Sequence, residues 1–306
     1  MDFMRVTLAS DYSQIPARRK VAGMVPSRRD VMRHGLSSGF ALAVTPIADT
    51  ALATDAQGIE AGDVKIPTSA GEIPAYRAFP SGGGSQRKLP VLLVVHEIFG
   101  VHEHIKDLCR RFAKQGLFAV APDLFARQGD ATKIADMRQL NHDIVSKASD
   151  EQVLGDLDAT LAWASKAARA DAARLGITGF CWGGRITWLY AAHQPALKGA
   201  VAWYGRLTGD KDPLHPRHPL DLVDELKLPV LGLYGGQDQA IGLDSIGKMK
   251  AALSASKNPA AQHCEFHIYP ESGHAFAADY RPSYRKADAE DGFQRLHAWL
   301  KAHGVS

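Results

Sequence analysis

The sequence predicts an α/β fold, in which a doubly wound, mostly parallel sheet carries helices on both faces. Strand-like and helix-like segments alternate along most of the chain, which is typical of that architecture. Residues 89–95 form a continuous apolar run, as found in parallel strands that are buried on both sides. A glycine-flanked turn at residues 179–184 joins another apolar run to a helix-like stretch. Functional sites in this architecture lie at the carboxyl ends of the strands.

Hydrophobic periodicity predicts the individual elements: alternation indicates half-buried strands, and three- or four-residue spacing indicates helices. Residues 63–67 and 73–79 alternate around a Ser-Ala-Gly turn and predict an antiparallel pair. Ile105, Leu108 and Phe112 have the helical spacing. The remaining elements are predicted, in chain order, as strand 89–95, helix 102–115, strand 117–121, helices near 131–147 and 150–169, strand 174–178, helix 183–193, strands 198–203 and 229–234, helix 242–255, strand 263–269 and helix 286–302.

The composition of the 306 residues is that of an ordinary globular protein, with 45% hydrophobic and 23% charged residues. The net charge of +3 resides in residues 1–53, which hold seven Lys and Arg but four Asp. Residues 54–306 are balanced, so they offer no basic field to attract nucleic acid. No apolar run reaches the roughly 18 residues that a membrane span requires.

Residues 1–53 have the features of a twin-arginine export signal. Residues 27–33 read Ser-Arg-Arg-Asp-Val-Met-Arg, a weakly apolar stretch follows, and Ala-Leu-Ala at residues 51–53 suits a signal peptidase. The residues before Met24 exceed what such a leader needs, so Met24 is a candidate translation start. We expect a bacterial protein that the twin-arginine (Tat) machinery exports to the periplasm, with residues 54–306 as its domain.

Cys181 is the candidate nucleophile. It is the central residue of Gly-Phe-Cys-Trp-Gly-Gly at residues 179–184, where a predicted strand meets a predicted helix. A nucleophile between glycines at such a turn is typical of the α/β-hydrolases, because glycines relieve crowding in the strained corner. A thiol also ionises more readily than a hydroxyl. The alternative is a buried structural cysteine, which is how Cys109 and Cys264 are interpreted from their helix-like and strand-like surroundings.

An acid and a histidine are expected after later strands, because the α/β-hydrolase order is nucleophile, acid, histidine. Asp238 follows the strand predicted at residues 229–234, and His274 follows the strand predicted at residues 263–269. In a triad, Asp238 orients the imidazole of His274, which takes the proton of the nucleophile. Each residue alone would also fit a helix cap or a surface loop, but their order favours the triad.

The backbone N–H of Trp182, next to the nucleophile, is a predicted donor of an oxyanion hole. The second donor is expected in the loop after the first long strand, where residues 96–100 read His-Glu-Ile-Phe-Gly. Ile98 is the candidate in that loop. Glu97 beside it places a carboxylate near the nucleophile.

Five motifs together resemble the dienelactone hydrolase (carboxymethylenebutenolidase) family over about residues 60–304. They are residues 179–184 and 96–100, Ala-Pro-Asp-Leu-Phe-Ala-Arg at 121–127, Gly-Gly-Gln-Asp at 235–238 and Gly-His-Ala-Phe at 273–276. The resemblance implies an α/β-hydrolase fold, a triad of Cys181, His274 and Asp238, and an acyl-enzyme intermediate. It also implies that Glu97 pairs with the resting thiol and takes its proton when substrate arrives.

The resemblance further implies that Arg127 binds a carboxylate of the substrate. The family's second carboxylate-binding arginine corresponds to Ala278 in this sequence, and Arg281 is the candidate to replace it. The expected substrate is a small lactone or ester, with or without a carboxylate. No cofactor is expected.

Two other functions stay open on the same fold: a thiol redox or peroxide-sensing protein, and a non-catalytic binding module. The sensor requires a resolving cysteine near Cys181, whereas an intact triad favours catalysis over binding alone. The histidine pairs His102 and His104, and His215 and His218, lack a third ligand at a known zinc spacing, so no metal site is predicted.

Overall fold

A computed structural model describes residues 54–82 and 88–306. The leader predicted at residues 1–53, including the candidate start at Met24, lies outside the described residues. Within them the chain forms an eight-stranded sheet with helices on both faces, which confirms the predicted fold class. None of the helices in these two ranges combines the length and the apolar character needed to cross a membrane.

The strands and helices alternate along the chain as the hydrophobic pattern predicts. The strands are β1 (Ile59–Thr68), β2 (Gly71–Pro80), β3 (Leu89–Val95), β4 (Phe118–Pro122), β5 (Ala170–Phe180), β6 (Gly199–Trp203), β7 (Val230–Gly235) and β8 (Glu265–Tyr269). The α-helices are Glu103–Lys114, Met137–Asp143, Asp150–Ser165, Trp182–His193, Leu243–Ala255, Pro259–Gln262 and Lys286–Ala302. Short 3₁₀ helices occupy Ala131–Lys133, Val145–Lys147 and Pro219–Glu225.

The sheet has the strand order β1-β2-β4-β3-β5-β6-β7-β8. The pairs β1–β2 and β2–β4 are antiparallel, and all the other pairs are parallel. The carboxyl ends of β3 and β5 to β8 therefore share one edge. The loops that follow these strands meet there, which brings residues distant in sequence to a common site.

The core consists of two apolar layers, one on each face of the sheet. Leu93 of β3 contributes to one layer and its neighbour Leu92 to the other, so this central strand is buried on both sides. The helices Asp150–Ser165 and Trp182–His193 cover the first face, and Glu103–Lys114 and Lys286–Ala302 cover the second.

The helix predicted near residues 131–147 is divided in the structure into three short pieces. The side chains of Asp130 and Asp136 accept hydrogen bonds from the N–H groups of Thr132 and Gln139, at 3.0 and 2.7 Å. Each aspartate thereby caps a new helix start, because it satisfies an N–H that has no partner within the helix. Local capping overrides the helical periodicity here.

Strand β5 begins at Ala170, four residues earlier than predicted, and the preceding helix ends at Ser165. Its first residues pair with β3 across a register shift between Pro90 and Val91. Proline has no N–H for the ladder, so such an irregularity is expected beside it. The extension leaves the carboxyl end of β5 at Phe180, where the site begins.

Candidate active site

Cys181 occupies a strained turn between β5 and the helix Trp182–His193. Its backbone angles are φ 56° and ψ −114°, outside the regions that side chains normally allow. The turn is held by a hydrogen bond of 3.0 Å from the Cys181 N–H to the Trp203 carbonyl. A Cβ on Gly183 would lie 2.4 Å from the Val95 carbonyl oxygen, so this residue must lack a side chain. The thiol is therefore fixed at the carboxyl edge of the sheet.

The structure brings Cys181, His274 and Asp238 together in a hydrogen-bonded line. His274 Nε2 lies 3.1 Å from Cys181 Sγ, and His274 Nδ1 lies 2.8 Å from Asp238 Oδ2. Asp238 Oδ1 accepts the N–H groups of Ala240 and Ile241 at 2.8 and 3.0 Å, which fixes the buried carboxylate. Asp238 therefore holds the His274 imidazole so that its Nε2 faces the Cys181 sulfur.

Electrostatics favour the protonated form of His274. Burial lowers the pKa of His274, but negative charge on Cys181 and Asp238 outweighs burial and raises this pKa to about 10. The imidazole therefore holds a proton readily when Cys181 is a thiolate. A base of this kind can take the thiol proton and return it to a leaving group.

The two predicted oxyanion donors lie where the fold leaves their N–H groups free. The N–H of Trp182 is at the first position of its helix and has no acceptor within that helix. Across the described residues, the N–H of Ile98 donates no backbone hydrogen bond. Both residues border the cavity that contains Cys181.

His96 fixes the loop that carries Ile98, a role that sequence reasoning did not assign. Its Nε2 accepts the Leu124 N–H at 3.1 Å, so its Nδ1 donates to the Glu97 carbonyl at 2.6 Å. Burial lowers the pKa of His96 to about 4, which keeps the ring neutral, as these two bonds require. Its ring also stacks on Trp182 at 5.4 Å, so both oxyanion loops are tied together.

Among the described residues, Glu97 Oε1 has no hydrogen-bond partner, so the pairing with the thiol that the family resemblance implies stays a prediction. Its Oε2 accepts the Tyr280 hydroxyl at 2.8 Å and lies 3.3 Å from the Arg281 guanidinium. Burial raises the pKa of Glu97, but Arg281 and His102 outweigh it and hold this pKa well below its usual range. The nearby positive charge of Arg281 therefore keeps Glu97 ionised.

The two arginines predicted to bind substrate each form an ion pair within the protein, and their predicted role stays a prediction. Arg281 is committed to Glu97 and is buried. Arg127 forms a two-point ion pair with Asp156 and donates to the Thr68 hydroxyl at 2.7 Å. Neither arginine borders the cavity at Cys181. Three of the five N–H donors of Arg127 are engaged by Asp156 and Thr68.

A cavity of about 280 Å³ opens above Cys181. Two wall segments bound it, residues 141–146 and residues 206–218. His215 of the second wall segment contacts the chain just after the first segment, since its Nε2 lies 3.0 Å from the carbonyl oxygen of Ala148. The volume suits a small molecule rather than a polymer.

Arg185 anchors the second wall segment to the helix that follows Cys181. It makes two hydrogen bonds to Asp150, at 2.6 and 2.8 Å, and donates to the Arg217 carbonyl at 2.7 Å. Its Nε lies 3.2 Å from His218 Nδ1. The only sequence signal of this role is a charged residue in an otherwise apolar, buried helix.

The histidine pairs considered as metal ligands have other partners. His104 Nδ1 lies 3.1 Å from Asp279, and His102 Nε2 lies 3.7 Å from Glu97. Among residues 54–82 and 88–306, no group of three or more His, Cys, Asp or Glu is placed to hold a metal ion.

A cysteine at a strained turn after β5, with an aspartate after β7 and a histidine after β8, is the arrangement typical of the α/β-hydrolase fold. The chain belongs to the dienelactone hydrolase family, whose sequence model matches residues 73–304. It is accordingly a hydrolase.

Relatives from several bacteria support this assignment. A protein of Methylorubrum extorquens is 58% identical over 281 residues, which are 92% of this chain and 94% of that protein. A protein of Escherichia coli K12 is 52% identical over 267 residues, which are 87% of this chain and 96% of that protein. Both carry names that refer to carboxymethylenebutenolidase.

Solved structures agree with the sequence comparison. A Klebsiella pneumoniae protein, whose name refers to dienelactone hydrolase, has 51% identity and a TM-score of 0.76 over 79% of this chain and 98% of its own. A metagenomic dienelactone hydrolase-like promiscuous phosphotriesterase has 18% identity and a TM-score of 0.64 over 80% of this chain and 99% of its own. The second similarity concerns the fold alone.

Proposed function

We propose that this hydrolase acts on small lactones or esters through a cysteine nucleophile and an acyl-enzyme. The observation that carries the proposal is the line from Cys181 through His274 to Asp238, with distances of 3.1 and 2.8 Å. Cys181 and His274 border a cavity large enough for a small substrate. The names of the relatives point to the same substrate class.

Acylation begins when His274 Nε2 takes the proton of Cys181 and the thiolate attacks the carbonyl carbon. The negative charge that develops on the carbonyl oxygen is stabilised by the N–H groups of Ile98 and Trp182. The tetrahedral intermediate collapses with cleavage of the carbon–oxygen bond. The leaving oxygen receives the proton from His274, which gives a thioester on Cys181 and a free or tethered alcohol.

Deacylation repeats the steps with water as the nucleophile. His274 takes a proton from water, and the hydroxide attacks the thioester carbon. The thiolate then leaves as the carboxylic acid forms, and the acid ionises in water. Asp238 stabilises the imidazolium in both halves of the reaction without accepting its proton.

Trapping of the acyl-enzyme tests the mechanism directly. An aryl ester with a slowly hydrolysed acyl group, quenched with acid after a few turnovers, is expected to add one acyl group to the chain. Peptide mapping should place the added mass on Cys181 and leave Cys264 unmodified. An enzyme that turns over without any such adduct on Cys181 would contradict the covalent mechanism.

Glu97 acts in this proposal as a residue that positions the site rather than as a partner of the thiol. Replacement of Glu97 by glutamine should change the rate of Cys181 alkylation by iodoacetamide by less than about threefold, because Tyr280 and Arg281 already hold this side chain. It should lower the free energy of unfolding by about 3–5 kcal/mol, because buried Arg281 loses its counter-charge.

The matched control for Glu97→Gln is Glu225→Gln, which removes an exposed ion pair to Arg217. That control should cost less than about 1 kcal/mol. Much faster alkylation of free Glu97→Gln enzyme would favour the alternative mechanism, in which Glu97 keeps the resting thiol protonated until substrate binds.

The other two cysteines favour a hydrolase over a thiol redox sensor. Burial raises the pKa of the Cys109 thiol far above its usual range and that of Cys264 to about 12. A resolving cysteine must form a thiolate readily. Within the part of the chain that the structure describes, neither of these two cysteines meets that requirement.

We also propose, from the sequence of residues 1–53, that the chain is exported by the twin-arginine machinery to a bacterial periplasm. Replacement of both Arg28 and Arg29 by lysine in a reporter fusion should retain the protein in the cytoplasm. Sequencing of the mature N-terminus should locate cleavage after Ala53. Equal periplasmic amounts of the double variant and the parent would exclude the twin-arginine route.

A further inference from the structure

Tyr204, the residue directly after β6, has two unfavourable features at once. Its φ of 37° lies in the left-handed region, which bulky side chains rarely adopt. Its side chain is buried, and its hydroxyl has no hydrogen-bond partner among the described residues. Strained backbone and unsatisfied buried polar groups both cost free energy, and both concentrate at functional sites.

The strained conformation is imposed by the surrounding backbone. The N–H of Tyr204 donates to the Leu233 carbonyl at 2.8 Å. The next residue, Gly205, accepts the Tyr234 hydroxyl at 3.1 Å and packs against the backbone of Gly184. Contacts on both sides therefore fix the direction of the Tyr204 side chain.

The other buried tyrosines show that an unpartnered hydroxyl is not the rule in this fold. Within the described ranges, the hydroxyls of Tyr76, Tyr190, Tyr234 and Tyr269 each have a hydrogen-bond partner. Tyr204 also differs from these four tyrosines because it borders the cavity that contains Cys181. Tyr204 therefore presents a buried hydroxyl beside the cavity that is free to donate a hydrogen bond.

The surroundings of Tyr204 keep it a donor and place it beside the base. Burial raises the pKa of Tyr204 well above its usual range, and negative charge on Glu97 and Cys181 adds to this effect. The Tyr204 ring meets the His274 imidazole edge to face, with 5.2 Å between the ring centres. The oxygen that receives the His274 proton must also lie near that imidazole.

We propose that the Tyr204 hydroxyl donates a hydrogen bond to the leaving-group oxygen of the ester in the acylation transition state. The proposal rests on the cysteine mechanism above. His274 still supplies the proton that the leaving oxygen receives, and Tyr204 keeps its own. The hydrogen bond disperses negative charge on that oxygen while the carbon–oxygen bond breaks, so poor leaving groups need it most.

Tyr204→Phe removes this donor alone. We expect kcat/KM to fall about 100-fold for an alkyl ester, and less than about threefold for the nitrophenyl ester of the same acid. The melting temperature should stay the same or rise, because an unsatisfied buried hydroxyl is removed. Tyr190→Phe is the matched control: its hydroxyl donates to Asp158, so its loss should lower the melting temperature and leave turnover unchanged.

A similar loss for both esters, or no loss with either, would overturn the assignment of Tyr204 to the leaving group. So would a lower melting temperature with normal turnover, which indicates a structural hydroxyl. Cys181→Ala, assayed in parallel, separates the two proposals. If it is inactive while Tyr204→Phe is normal, the role of Tyr204 fails and the cysteine mechanism stands.

Discussion

Replacement of Cys181 by alanine is expected to abolish hydrolysis and to leave the fold intact. Loss of a nucleophile typically costs on the order of 10³-fold or more in turnover. The Cys181 side chain is half-buried at the edge of the cavity, so little packing is lost with its sulfur. The measurement is kcat/KM on a lactone and on an aryl ester, together with circular dichroism and the melting temperature.

Cys264→Ala is the control for this experiment, because its thiol packs near Val230 and Ala260. We expect normal turnover from that variant. Substantial hydrolysis by correctly folded Cys181→Ala enzyme would exclude the cysteine as nucleophile and would favour water activated by His274.

Replacement of Gly184 by alanine is expected to destabilise the fold by about 3 kcal/mol or more, as overpacking against rigid backbone does. A Cβ on Gly184 would lie 2.4 Å from the Trp203 carbonyl oxygen and 2.9 Å from the Gly205 Cα. Backbone atoms cannot rotate away as a flexible side chain can. Relief therefore requires the helix after Cys181 to move away from β6, and urea denaturation measures the resulting loss of stability.

Gly247→Ala is the matched control, since it lies in the helix Leu243–Ala255 with no atom within 4 Å of the added carbon. Alanine there should stabilise the protein by about 0.5–1 kcal/mol. Equal denaturation midpoints for the two variants would mean that the contact around Gly184 is looser than its geometry indicates.

The positions of Cys181, Asp238 and His274 were accessible from sequence because each follows an apolar strand directly. Parallel strands align their carboxyl ends, so residues that end consecutive strands in the right order are brought near one another. The sheet itself was predictable for the same reason, apart from the helix near residues 131–147 that Asp130 and Asp136 interrupt.

The ion-pair partners of the charged residues could not be predicted from the sequence in the same way. Glu97 pairs with Arg281, which is 184 positions away in the sequence. Arg127 pairs with Asp156, which lies on a helix that carries no recognisable motif. A motif specifies which residue types are present, but the nearest opposite charge is decided by packing. The unused hydroxyl of Tyr204 is likewise visible only when all its neighbours are known.

The origin of the cavity walls bears on how the enzyme can diverge. Cys181, Asp238 and His274, the proposed reacting groups, follow β5, β7 and β8. Residues 141–146 and 206–218 belong to connections outside the sheet. Substitutions in those connections can alter which molecules are admitted while the chemistry stays the same. A lineage can therefore acquire new substrates by exchanging its loops, and a designer can vary the same loops on an unchanged catalytic frame.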